Sequence, residues 1–208
     1  RLDSLQLKAS AFVDTTCSGV LTSNDLSYSW SITDSAGVVN LASTSRQVSI
    51  FQLNSYTLAT NTLYTVTLKV TYTKSQKVAS SNTQIYINQN TIVPILSVSS
   101  QFTLQFGNSI FIDGGSSFDN DIQTLKGIAA GLGYSWSCSQ TLPALSSSCP
   151  LTIQNNDVAN QNITITAVTA SVTAQITLTI TSGSRSASIS TSVTIVASNA
   201  PTITITST

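Results

Sequence analysis

Glutamate, histidine and methionine are absent from this chain of 208 residues, and the first two absences close whole classes of function. Without imidazole there is no base of suitable pKa to activate the abundant serine and threonine hydroxyls. Nor is there a nitrogen ligand or a second thiol pair to complete a zinc site with the three cysteines. Charge is sparse as well. Eight Asp stand against five Lys and three Arg, the net charge is zero and charged residues make up 8% of the chain. The basic stripe that a phosphate backbone requires is missing, so nucleic acid is not an expected partner. No run approaches the roughly eighteen apolar residues of a membrane-spanning helix. The N-terminal "RLDSLQLKAS" has no signal-peptide hydrophobic region, and the segment reads as a mature or internal piece. Carboxylate-pair chemistry on glycosides needs two acids whose pKa values are pushed apart across a cleft, and nothing in the sequence locates such a pair. Neither an enzyme nor a cofactor is expected; a secreted carbohydrate-active enzyme is the catalytic alternative that this reading sets aside.

What the chain has in quantity is Ser and Thr, roughly a third of its residues. That share would suit a disordered stalk, but aliphatic residues alternate with the hydroxyls too regularly. Val66, Leu68, Val70 and Tyr72 fall on one face of an extended segment, with Thr65, Thr67, Lys69 and Thr71 on the other. Ile176, Leu178 and Ile180 repeat the pattern above Thr177, Thr179 and Thr181. Helix formers are few, and "LKGIAAGLG" alone tempts a helix that its glycines weaken. The fold class is all-β.

The chain also repeats itself. "LSYSWS" at residues 26–31 returns as "LGYSWS" at 132–137, an offset of 106, and Pro94 in "VPILSV" returns as Pro201 in "APTITI" at 107. "TVTLKVTYTKSQKVASSNTQIYI" (65–87) aligns with "AQITLTITSGSRSASISTSVTIV" (174–196) at an offset of 108, each reading as a hairpin around a polar turn. Two tandem immunoglobulin-like β-sandwich modules of about 100 residues each follow, with Trp30 and Trp136 as equivalent buried plugs between sheets. Tyr64 opens the last-but-one strand of the first module, where a tyrosine corner belongs, and the second module has no tyrosine there. All three aromatics read as core.

"YTVTLKV" (64–70), "LSYSWS", "LGYSWSCS" and "IFIDGGSSFDND" (110–121) resemble the polycystic-kidney-disease-type and receptor-for-egg-jelly-type immunoglobulin-like modules of large extracellular surface proteins. The resemblance covers both units. It implies a non-catalytic module arranged in tandem and used for adhesion or as a spacer. The acidic "DFGDG" that often follows the Trp in the first of these types is replaced by "SITDSAG" and "SCSQTLP", so a ligand or metal role tied to that loop is not carried over.

Few residues suggest chemistry. Cys138 and Cys149 lie eleven apart, and a disulfide closing that loop presumes an oxidising compartment, extracellular or at the cell surface. Cys17 is left over: a buried free thiol, a partner for a cysteine outside this chain, or a reduced residue. Asp113, Asp119 and Asp121 form the one carboxylate cluster. A calcium site would want five or more oxygens, and Asx turns account for the same residues. Asn162-Ile163-Thr164 is the one N-glycosylation sequon, at what reads as the exposed start of a strand, which adds glycans to the candidate partners.

The expected division is a first sandwich over residues 1–90, a second over 91–198 and a C-terminal strand over 199–208. The second module has a first strand, Ile92 to Val98, that the first module lacks. The tail "APTITITST" matches the beginning of that strand, with Ile203 and Ile205 alternating with Thr202, Thr204 and Thr206. Two readings share this pattern. In one, residues 202–206 complete the next copy of the chain head to tail, giving a surface filament or coat. In the other, the chain is a window on a longer array of neighbouring modules in an adhesion receptor.

Overall fold

The computed structural model describes residues 3–14, 21–154 and 160–199. The chain divides into two compact units, Arg1–Asn90 and Thr91–Thr208. Both are immunoglobulin-like β-sandwiches, as the alternation requires. The described residues contain one helical turn, a 3-10 turn at Gly127–Ala130 within the "LKGIAAGLG" stretch.

In chain order the first unit holds β1 (Leu5–Lys8), β2 (Val13–Asp14), β3 (Leu21–Thr22), β4 (Leu26–Asp34), β5 (Gly37–Val39), β6 (Ile50–Leu53), β7 (Thr62–Tyr72) and β8 (Lys77–Ile87). Its main sheet has the order β5-β4-β7-β8, and β1 pairs with β6. The second unit holds β9 (Ile92–Val93), β10 (Gln101–Gln105), β11 (Ser109–Asp113), β12 (Phe118–Asp119), β13 (Gly133–Leu142), β14 (Leu151–Gln154), β15 (Asn162–Ala167), β16 (Val172–Ser182) and β17 (Arg185–Val196). Its main sheet, β10-β17-β16-β13, is accompanied by β11-β15-β14 and the short pair β12-β9.

Strand pairing refines the internal repeat. Trp30 sits opposite Leu68, and Trp136 opposite Leu178, so β7 and β16 correspond at an offset of 110, while β8 and β17 correspond at 108. The expected single offset of 108 slipped the first hairpin strand by two. A slip of two leaves every side chain on its own face, so the burial pattern did not reveal it. Its cause is the turn: four residues, 73–76, join β7 to β8, whereas only Gly183 and Ser184 join β16 to β17. Gly183 takes φ +58° at the first turn position, the conformation that a type II′ hairpin turn reserves for glycine.

The two tryptophans are equivalent in position and unequal in burial. Trp136 is 5% exposed, and its indole N–H donates to the Asn160 carbonyl. Trp30 is only half-buried; it donates to the Val48 carbonyl at 2.9 Å and tilts against Phe51. Tyr64 forms the corner: buried, it accepts a hydrogen bond from the Ala59 N–H at 2.9 Å on its hydroxyl. Ala174, wholly buried, takes its place in β16.

The expected continuous strand from Ile92 to Val98 is instead broken. Pro94 has no N–H to continue a ladder. β9 pairs with β12, the Ile95 N–H turns to the Ser117 hydroxyl, and the chain joins the main sheet only at Gln101, parallel to β17.

Cys138 and Cys149 are bonded, with Cα atoms 5.3 Å apart. Beside them Gln140 and Ser146 exchange backbone hydrogen bonds, which ties down the loop between. A crosslink closing a loop of this size stabilises by about 2–3 kcal/mol through the unfolded chain. Reduction is therefore expected to lower the stability of the second unit by that amount and leave the first unchanged, as read from thermal unfolding with and without reductant, followed by a fluorescence probe in each unit.

Candidate functional site at an open sheet edge

In the second unit the residues from Ser99 to Gln105 cover the outer edge of β17. Phe102 and Leu104 pair with Val193 and Ile195 in the parallel ladder. The Thr191 hydroxyl donates to the Ser99 carbonyl at 2.7 Å, and the Ser192 N–H donates to the Ser100 carbonyl at 2.9 Å. Leu96 and Val98 pack against the core. Thr191, Val193 and Ile195 are consequently all buried.

β8 is the counterpart of β17, and its outer edge has no partner among the described residues. Lys77 to Gln84 are exposed throughout, and Ile85 and Ile87 are half-buried. Beneath the strand lie two adjoining grooves. One of about 420 Å³ is lined by Phe12, Val13, Leu26, Leu68, Val70 and Val78; another of about 410 Å³ is lined by Trp30, Val66, Leu68 and Thr83. A smaller recess of about 160 Å³ opens beside Leu5, Leu53 and Ile87. Trp30 is half-buried because it forms a wall of the second groove. Among the described residues, six buried hydrophobics make up the first core and seventeen the second, so the first unit is the one short of cover. A bare edge of this kind, with unpaired N–H and C=O groups above apolar surface, is a template for another strand.

The carboxylate cluster has a different role from the metal site weighed in the sequence. Arg185, opening β17, grips Asp119 with both terminal nitrogens, Nη1–Oδ1 at 3.0 Å and Nη2–Oδ2 at 2.5 Å, and lies 3.2 Å from Asp121. Asp119 also accepts from the Ser182 hydroxyl and from the Asp121 N–H, both at 2.9 Å. Asp113 stands apart, accepting from the Gly115 N–H in an Asx turn. No group of three or more candidate ligands that could hold a metal ion occurs among the described residues. The guanidinium supplies the positive charge that these acids need. Sequence reading missed this pairing, yet a signal existed: Arg185 is the one arginine of the second unit and faces its one acid cluster.

Asn162 begins β15 as expected but is half-buried rather than exposed, because β15 is the middle strand of its sheet and Asn162 lies opposite Asp113. Cys17 and the strand residues Thr202, Ile203, Thr204, Ile205 and Thr206 lie outside the described residues.

Burial pushes the Asp119 carboxyl up, but the hydrogen bonds from Arg185, the Asp121 N–H and Ser182, together with the Arg185 charge, outweigh it and hold the group below its ordinary 3.8. Its contribution to stability is therefore complete above that value and lost as pH falls through the lower folded-state value. Asp119→Asn is expected to cost the second unit roughly 2–4 kcal/mol, near the lower end of what breaking a buried pair costs because Arg185 is a fifth exposed. Urea melts at neutral pH and below pH 4 provide the check: the gap between native and variant should close in acid.

Residues 11–208 match the REJ domain. Among solved structures, the titin domains Z1Z2 in complex with telethonin are 12% identical over 94% of this chain and 89% of that one, with a TM-score of 0.44. Human protocadherin-24 EC1-2 is 16% identical over 86% of each chain, with a TM-score of 0.34. A nucleoside hydrolase-related hypothetical protein from Saccharophagus degradans is 18% identical over 53% of this chain, at a TM-score of 0.36, and this chain spans 26% of its length. No curated protein matches. No helix among the described residues is long and apolar enough to cross a membrane. The family match takes in both units and nearly the whole length, and the chain belongs to the REJ domain family.

Proposed function

We propose that this chain is a structural, non-catalytic module of an extracellular protein, and that it assembles with copies of itself head to tail by β-strand complementation into a surface filament or coat. REJ domains belong to extracellular receptor proteins and are a non-catalytic kind of module, and the disulfide fits an oxidising environment. The observation that carries the finer reading is the bare edge of β8 over two grooves, one mainly apolar and one of mixed lining, set beside a second unit whose same edge is filled. An incoming strand would gain a few ladder hydrogen bonds at about 0.5–1.5 kcal/mol each and bury two isoleucines at about 1.5–3 kcal/mol each. Ordering the strand, at about 1–2 kcal/mol per residue, offsets part of that.

The second reading, a tandem adhesion or spacer module of a large cell-surface receptor, is favoured by the REJ match itself. In that case the neighbour is another module of the same chain, and glycan at Asn162 would be a surface modification without a role in assembly. Negative-stain microscopy and size-exclusion chromatography of the secreted chain separate the two. Filaments of regular repeat are expected, and deletion of Pro201 to Thr208 should convert them to monomers. Filaments that survive the deletion would end the complementation reading, and a monomeric native chain would favour the receptor module.

A further inference from the structure

We infer that the acceptor is the outer edge of β8, and that the tail of a second copy of this chain enters there in the parallel sense, Thr206 and Ser207 on the edge and Ile203 and Ile205 turned into the two grooves beneath it. This rests on the complementation reading and adds the acceptor strand, its direction and its register. The template is the second unit. "APTITITS" repeats "VPILSVSS" at an offset of 107, which sets Ile203 and Ile205 at the positions of Leu96 and Val98, and Thr204 at that of Ser97. In the second unit Leu96 and Val98 pack against the core while Ser97 is exposed. Ser97 bonds Asp113, and pairing with β17 begins two residues later at Ser99, so the alternation of the tail is in phase with the segment that leads onto the edge of β17.

The receiving groups match as well. Thr83 and Gln84 occupy on β8 the positions that Thr191 and Ser192 occupy on β17. Thr191 donates its hydroxyl to the Ser99 carbonyl and Ser192 its N–H to the Ser100 carbonyl. Transferred to the open edge, the Thr83 hydroxyl would bond the Thr206 carbonyl, and the Gln84 N–H the Ser207 carbonyl. The charges follow the same correspondence: Lys77 on β8 stands where Arg185 stands on β17. Aligning "LQLKASAFVD" with "IFIDGGSSFD" places Asp14 where Asp119 is. Lys77 and Val13 line the end of the larger groove, so the closed edge and the open one present related chemistry to a strand entering there.

The test uses full-length chain carrying Ile203→Asp and Ile205→Asp, which disables its own tail, and a fluorescent peptide of residues 199–208. Saturable binding is expected, weakened at least about tenfold when the peptide carries Asp at Ile203 or at Ile205 and changed by less than about threefold by Thr204→Asp, since only the first two face the grooves. Gln84→Pro in the chain removes one outward N–H and should abolish binding. Because that variant could also perturb β8, a cysteine pair provides a second measurement: Thr83→Cys should crosslink to a peptide bearing Thr206→Cys, and Val38→Cys on the opposite edge strand should not. Absence of binding, indifference to the alternation, or equal crosslinking at Val38 would overturn the proposal. Peptide binding by a native chain that stays monomeric would sink head-to-tail assembly alone. Filaments formed by a chain that ignores the peptide would sink the β8 edge alone.

Discussion

The parallel pairing of β10 on β17 is the contact on which the second unit depends. A sheet whose strands alternate aliphatic and hydroxyl residues has one greasy face, and its outermost strand has one unpaired side. Residues 92–105 meet both needs at once: Leu96, Val98 and Leu104 fill the space below, and the backbone from Ser99 onward pairs at the edge. Thr191 illustrates the result, a hydroxyl residue 2% exposed with its single donor satisfied.

The first unit shows the same fold without that contact. Its tryptophan strand and hairpin pair as they do in the second unit, and yet β8 presents eight consecutive exposed residues and Trp30 is only half-buried. The two units carry near-identical tryptophan strands, one buried and one half-buried, and the covering stretch 92–105 has no counterpart among the described residues of the first. The ion cluster belongs to the sheltered unit. Arg185 ties the hairpin tip of β16 and β17 to β12, the strand that β9 pairs with, and so fastens the covering segment where it enters.

Much of this was legible in the sequence because period two is a strong signal. The all-β class, the two-unit repeat, the tryptophan strands and the Cys138–Cys149 bond follow from spacing alone. What was lost was lost for physical reasons. A two-residue slip in β7 is invisible to alternation, since faces are preserved. The break at Pro94 turns on which sheet the chain joins next, a tertiary choice. The unequal burial of Trp30 and Trp136 depends on a neighbour that is not in the motif. Arg185 was overlooked because a partner 66 residues from Asp119 leaves no local pattern, although in a chain so poor in charge the one arginine of a unit and its one acid cluster are informative.

The direction of the β10–β17 pairing has a mechanical consequence. β10 lies near the point where the chain enters the second unit, and β17 is the strand by which it leaves. In a parallel pair those two ends point opposite ways, so tension applied along the chain loads the rungs from Gln101–Ser192 to Gln105–Val196 in shear, all together, rather than peeling them one by one. A module wired in this way resists stretching through its outermost contact. Among the described residues β8 carries no such rungs, so this shear-loaded contact is a feature of the second unit.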